Sequence, residues 1–207
     1  MRDCDTKSTQ AIRMPTIEQV SKRLRSDRNW FTKCLLGVLF CCIPILHFLA
    51  CGYLYRMFKA GKAQNAFVLP EWDDWKGLFI DGLKFFLIVL IFAGIPIALM
   101  GFAMYAMRWS AGSYFANIPM APALFIAGPL SCSALDLYML NGDFSNCFNI
   151  QALTGLLKRT AEHYWLPTLA LLGLCLLLPF AFFFGAVIYF YLMGYVFKNF
   201  ELSADKR

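Results

Sequence analysis

A chain of 207 residues has room for one domain with a tail, yet 59% of it is hydrophobic and only 15% is charged, against about 25% charged in an average soluble domain. A soluble fold of this size cannot hide so much apolar surface, 21 Phe included, because surface falls only slowly relative to volume. The composition therefore predicts an all-α integral membrane protein. The net charge of +6 is concentrated at one end, where Arg2, Lys7, Arg13, Lys22, Arg23, Arg25, Arg28 and Lys33 all precede the first apolar segment. Such a run suits nucleic acid or anionic lipid. With a membrane segment starting immediately after it, a cytoplasmic tail on anionic headgroups is the plainer reading, at about 1 kcal/mol per basic group, and nucleic acid is set aside.

In chain order, residues 1–15 are polar and show no packed pattern. Thr16 to Trp30 predicts a short helix: Thr16 caps it, and Ile17, Val20 and Leu24 recur on one face opposite Lys22, Arg23 and Arg25. That is an interfacial amphipathic helix, with Trp30 and Phe31 at headgroup depth. Residues 1–29 are thus a basic cytoplasmic tail and 30–207 a multi-pass membrane domain. The first span is expected over Cys34–Tyr55, with Pro44 near its middle and length enough to cross. Its long polar leader argues against a cleaved signal. Arg56, Lys59 and Lys62 then face headgroups or phosphates.

Pro70 opens a second interfacial helix, with Glu71, Asp73 and Asp74 complementing the helix dipole and Trp72, Trp75, Leu78, Phe79 and Leu83 on one side. It feeds a span over Phe85–Met107, kinkable at Pro96. After a tight connection at 108–113, Tyr114–Leu135 is interrupted by Pro119, Pro122, Gly128 and Pro129. Interior prolines remove helix hydrogen bonds, so this segment is expected to be broken and packed inside the bundle. Asn141-Gly142-Asp143 marks a turn. Phe144–His163 is a third amphipathic stretch. Tyr164–Phe197, with Pro179 inside, is longer than one span needs, and reads either as a long kinked helix or as a re-entrant hairpin.

Together these give a bundle of about four transmembrane helices, some proline-broken, plus interfacial amphipathic helices. With both termini inside, the larger share of the 19 basic residues is cytoplasmic, and residues 56–84 fall on the opposite side. An internal echo accompanies this plan. Ile17-x-x-Val20-Ser21-x-x-Leu24-Arg25 parallels Ile150-x-x-Leu153-Thr154-x-x-Leu157-Lys158, Trp30 and Pro44 match Trp165 and Pro179 in separation, and Gly52-Tyr53 matches Gly194-Tyr195.

Few residues carry chemistry. The eight Cys form no CxxC pair, and His47 and Cys51, sharing a helix face, make too few ligands for a metal site. No nucleotide-binding loop and no Ser-His-Asp or Cys-His arrangement is present, and no cofactor is expected. The candidate site is the acidic and aromatic segment Glu71, Trp72, Asp73, Asp74, Trp75 and Asp81. Its carboxylates suit acid–base work or a cation, but acids in a helix's first turn explain all of them except Asp81, which is placed to pair with Lys84. Asp136, at the end of the proline-rich segment, is a candidate intramembrane polar site; its place near a helix end suits either snorkelling or pairing, with Arg56 or Lys158 as the partner.

Gly52-Tyr53-Leu54-Tyr55-Arg56, then Leu69-Pro70-Glu71-Trp72-Asp73-Asp74-Trp75, then Asp81-Gly82-Leu83-Lys84 resembles the domain-of-unknown-function 4013 family of prokaryotic multi-pass membrane proteins. Members show a Gly-Tyr exit, a Pro-(acid)-aromatic-Asp-Asp segment and an Asp-Gly-Leu before the next span, and the resemblance runs over most of the chain after Trp30. It implies a bacterial or archaeal inner membrane and no assigned activity. The expected role is a non-enzymatic membrane scaffold or partner-binding protein, its partners the bilayer, anionic headgroups and a membrane protein or second copy of the chain. The alternative is a small permease with a site at the broken third span.

Overall fold

The computed structural model describes residues 16–63, 67–110, 120–177 and 182–204. They form helices and connecting loops, with no strand among the described residues. Helix α1 (Ile17–Ser26) starts where expected: the Thr16 backbone N–H donates to the Gln19 side chain at 3.3 Å. Its apolar face meets protein, since Val20 and Leu24 are buried in the core. Its basic face stays exposed.

The expected first span is not one crossing helix. α2 (Trp30–Cys42) ends at Ile43, and α3 (His47–Lys62) begins after Pro44. A continuous helix would hold Lys33 and Tyr53 about 30 Å apart. Instead, the Trp72 indole stacks on the Tyr53 ring, centroids 4.5 Å apart, and donates to the Lys33 carbonyl at 3.3 Å. The chain therefore folds back at Pro44, where a missing N–H and the clash with the preceding turn stop the helix. Both ends of the apolar segment lie at the same end of the bundle, which corrects the reading of Cys34–Tyr55 as a transverse helix. At about 20 Å, α2 is also shorter than a hydrocarbon core of about 30 Å.

α4 (Trp75–Val89) and α5 (Ile95–Ser110) make one long rod, joined by a π-helical turn at Leu90–Gly94. Pro96 lies just beyond that turn. A proline cannot donate to the preceding turn, and the ladder widens beside it. α6 (Met120–Asn141) packs against the rod and runs unbroken through Pro129, so the expected break is absent there; Pro119 lies outside the described residues. α6 is nonetheless interior, with every residue from Ser131 to Tyr138 buried. Ser131 and Ser133 donate to the carbonyls of Ala127 and Pro129, at 2.7 and 2.9 Å, so neither hydroxyl is left unsatisfied. Gly142, at φ +74°, makes the expected turn.

A short 3₁₀ turn, Phe144–Phe148, leads to α7 (Ile150–Leu177), whose first turn is capped by the Asn149 side chain accepting from Ala152 N–H at 3.1 Å. α8 (Phe182–Ala204) returns along α7: Gly185 sits against Leu174 and Leu171. The 164–197 stretch is therefore an antiparallel pair; Pro179 lies outside the described residues. The echo has a structural counterpart, because α2–α3 and the end of α7 with α8 are both fold-backs. In the second unit, however, the amphipathic and apolar parts fuse into one helix.

Three described helical stretches are long and apolar enough to cross a membrane: Trp75–Arg108, Pro122–Leu140 and Phe182–Asn199. Three, not four, is the count among the described residues, because the Pro44 fold-back removes the first. The most apolar stretch is Trp75–Arg108, whose best 18-residue window has mean hydropathy 2.7 with only 11% of it buried. Leu99, Phe102 and Tyr105 stand open on it, an apolar face far larger than soluble monomers tolerate.

Two glycine pairs set the bundle's centre. A Cβ on Gly52 would run into the Leu78 carbonyl, and one on Gly82 into the Phe48 carbonyl, so α3 and α4 cross at backbone contact. Gly61 and Gly194 do the same where α3 meets α8.

Candidate functional site

The acidic segment does not open a helix at Pro70. Residues 67–74 are non-helical, and α4 begins at Trp75 with Asp74 as its N-cap, accepting from Gly77 N–H at 3.0 Å. The dipole argument therefore covers Asp74 alone. Tertiary contacts hold the rest out of a helix. The Trp72 ring wedges between Phe40 and Tyr53, a stacking geometry that contributes about 0.5–1.5 kcal/mol beyond its buried area. Trp75 is half exposed beside Phe40. Asp73 accepts from Asp74 N–H at 2.9 Å.

The carboxylates meet bases from other elements. Glu71 pairs with Lys33 at 2.6 Å, and Lys33 also reaches Asp27 at 3.0 Å and the Leu69 carbonyl at 3.5 Å. With its side chain only 8% exposed, the Lys33 ammonium needs these partners to remain charged. Arg56 pairs with Asp74 at 2.6 Å and with Asp81 at 3.5 Å. Asp81 thus turns to α3, not to Lys84. Arg56 points inward to these acids, not to headgroups. One end of the bundle thus carries two acid–base–acid sets: Asp27, Lys33 and Glu71, and Asp74, Arg56 and Asp81.

Asp136 is separate. It is fully buried, and its partner is neither Arg56 nor Lys158 but Lys62, at 2.6 Å. Lys62 therefore also faces protein and not lipid phosphate. His47 and Cys51 approach to 3.4 Å, and no group of three or more metal-ligating side chains occurs among the described residues.

Sequence reasoning missed Lys33, Asp27 and Lys62 as site members. Lys33 reads there as one more charge of the basic run and Lys62 as a headgroup contact, and Asp27 is not singled out. The available signal was position: Lys33 sits in the helical register of an apolar run, where a lone charge needs a partner.

Asp27 and Asp74 lie outside the apolar spans, and both carboxyls are held below the usual aspartate range. For Asp27 the main cause is the Asn29 backbone N–H, then Lys33. For Asp74 it is the Gly77 backbone N–H, then the Arg56 guanidinium. A depressed folded-state value means stabilisation that is present above the ordinary value of 3.8 and lost as pH falls through the lower folded one. Asp74→Ala is therefore expected to flatten the acid limb of a thermal-stability profile below about pH 5. Asp74→Asn keeps the cap acceptor but not the ion pair, and should recover part of the midpoint without the pH dependence. An unchanged acid limb in Asp74→Ala would remove Asp74 from this account.

Gly52 and Gly82 of the α3–α4 crossing, Glu71, and the Asp74, Arg56 and Asp81 set all fall in the segments quoted for the resemblance: Gly52 to Arg56, Leu69 to Trp75, and Asp81 to Lys84. A family model described as "Protein of unknown function (DUF4013)" matches residues 35–190. The chain belongs to this family. The matched region of the DUF4013 chain contains both glycine crossings except Gly194, and both ion-pair sets except Asp27 and Lys33. No curated protein matches the chain, and no solved structure does.

Proposed function

We propose that this DUF4013 protein is a non-enzymatic scaffold of a prokaryotic inner membrane, its basic end turned to the cytoplasm. The observation that carries the reading is the engagement of the candidate acids. Glu71, Asp74, Asp81 and Asp136 each contact a Lys or Arg on another helix, so these charges tie elements together. The fold-back at Pro44 supports the orientation, because it gathers α1's basic face, Lys33, Arg56, Lys59 and Lys62 toward one end. The outer face of Trp75–Arg108 supplies the lipid-facing surface, and the basic end supplies contacts for anionic headgroups and a membrane-protein partner or second copy.

The orientation is tested with single-cysteine probes at Arg28 and Asp73 on a cysteine-free background. The fold-back with the basic end in the cytoplasm predicts that an impermeant thiol reagent labels neither in intact cells and both once the cytoplasmic face is opened; labelling of both in intact cells would reverse the orientation. Labelling of one and not the other would put a crossing helix between them and remove the proposal's geometry.

A permease is the second reading, favoured by one feature. Gly128, Cys132 and Asp136 recur at helical spacing on α6, and the buried Lys62–Asp136 pair lies at the end of that line. The readings separate genetically. Replacing Lys22, Arg23, Arg25 and Arg28 by Gln keeps Val20 and Leu24 in the core, and should abolish a scaffold's cellular phenotype. Replacing Lys62 and Asp136 together by apolar residues should abolish a permease's and spare a scaffold's.

A further inference from the structure

A groove of about 220 Å³ opens between α1 and the α7–α8 pair. Ile17, Pro167, Leu171, Leu174, Phe184 and Gly185 contribute to its lining. The Ser21 hydroxyl, also at the wall, donates to the Glu18 carbonyl at 2.9 Å, which leaves it engaged within its own helix. The groove therefore has little to offer a polar ligand and suits a hydrocarbon chain. Beside it on α7, Trp165, Leu166 and Leu169 are exposed, so a chain enters from the same surface that faces lipid.

The helix forming one wall supplies charge. Ile17, Ser21 and Arg25 follow one another at four-residue spacing, so Arg25 continues the groove-lining line one turn further, with Lys22 next to it. Both are exposed, as is Glu18 on the same side. Against that one carboxylate, α1 and its exit carry Lys22, Arg23, Arg25 and Arg28. An apolar slot with cations at its interfacial mouth matches an amphiphile of one polarity. We propose that this groove holds an acyl chain of an anionic glycerophospholipid, with the phosphate held by Arg25 and Lys22. The site deepens the scaffold reading and rests on its membrane placement, because it makes the basic end a lipid-selective anchor.

The test uses the full chain in phosphatidylcholine vesicles carrying a trace of photoactivatable lipid, either phosphatidylglycerol or phosphatidylcholine with the same diazirine acyl chain. Crosslinked peptides are mapped by mass spectrometry. Phosphatidylglycerol is expected to label the peptides holding Ile17 and Leu171–Leu174 on the order of 30-fold more than phosphatidylcholine does, about fivefold for each of the two basic groups; Arg25→Gln should cut the ratio about fivefold, and Arg25→Gln with Lys22→Gln should bring the two near parity. Ala170→Trp, which fills the groove from α7, should remove the label at Leu171 and Leu174 while leaving the α5 label unchanged. Equal labelling by both lipids in the wild type, with α5 labelled, would overturn the site and leave the membrane reading standing. Absence of label on α5 as well would overturn both. Label that enters the groove only after deletion of residues 1–15 would show that the chain fills its own groove, and the lipid assignment would fall.

Discussion

Asp136→Leu is expected to destabilise the chain by about 3–5 kcal/mol, a loss large enough to remove most folded protein from the membrane fraction. Asp136 is fully buried, and the Lys62 side chain 2.6 Å away is only 14% exposed. Removing the carboxylate takes away an anionic partner of the lysine, 2.6 Å away, in a setting where water offers little compensation. The second half of the prediction is that Lys62→Met combined with Asp136→Leu recovers most of the loss, because two apolar side chains in contact have no charge to desolvate. Thermal midpoints of wild type, single and double variants in one detergent measure this. Equal stability of the single variant and the wild type would mean the pair contributes nothing. A double variant as unstable as the single would point to polar partners beyond the pair. The folded double variant then permits the genetic comparison of scaffold with permease, which a single substitution confounds with misfolding.

Gly82→Val should have an effect at least as large. The new Cβ collides with the Phe48 carbonyl, a backbone atom that cannot rotate away, and the reciprocal contact of Gly52 with Leu78 lies on the same crossing. α3 and α4 must separate, and with them the Trp72 stack on Tyr53 and the Arg56 pairs with Asp74 and Asp81. Overpacking usually costs about 1–3 kcal/mol; with backbone on both sides, the loss here is expected at about 3 kcal/mol or more. The control is Gly173→Ala, where an added Cβ has nothing within 4 Å. That change should be neutral or should stabilise α7 by about 0.5–1 kcal/mol through helix propensity. Similar midpoints for the two variants would show that the crossing is not held by backbone contact.

The internal position of α6 was legible from its prolines, but its continuity was not. A proline stops a helix in water and is tolerated where packed neighbours hold the surrounding turns, and burial from Ser131 to Tyr138 places α6 in the second case. At Pro44 the same residue ends a helix, at a hairpin tip where the flanking Ile43 and Ile45 are exposed. The acids at 71–81 were legible as a cluster, but Asp74 as the N-cap was not, because Pro70 reads as the first helical position. Their partners Lys33 and Arg56 come from segments 38 and 18 positions away along the chain for Glu71 and Asp74 respectively, a range at which local spacing carries no information.

By itself, the sequence determined the apolar all-helical character, the amphipathic start at Thr16, the Asn141–Asp143 turn, the candidate acidic segment and the family. These follow from composition and from short-range periodicity, which depend on residues a few positions apart. The tertiary structure alone decided that the first apolar segment folds back, that three and not four described stretches are long enough to cross, and that Lys62 answers Asp136. Each of these depends on which helices reach backbone contact, and that is set by Gly52, Gly61, Gly82 and Gly194 meeting carbonyls across the bundle. Small residues permit close approach without naming the partner that approaches, so the pairing of helices, and with it the pairing of charges, became fixed only when the chain packed.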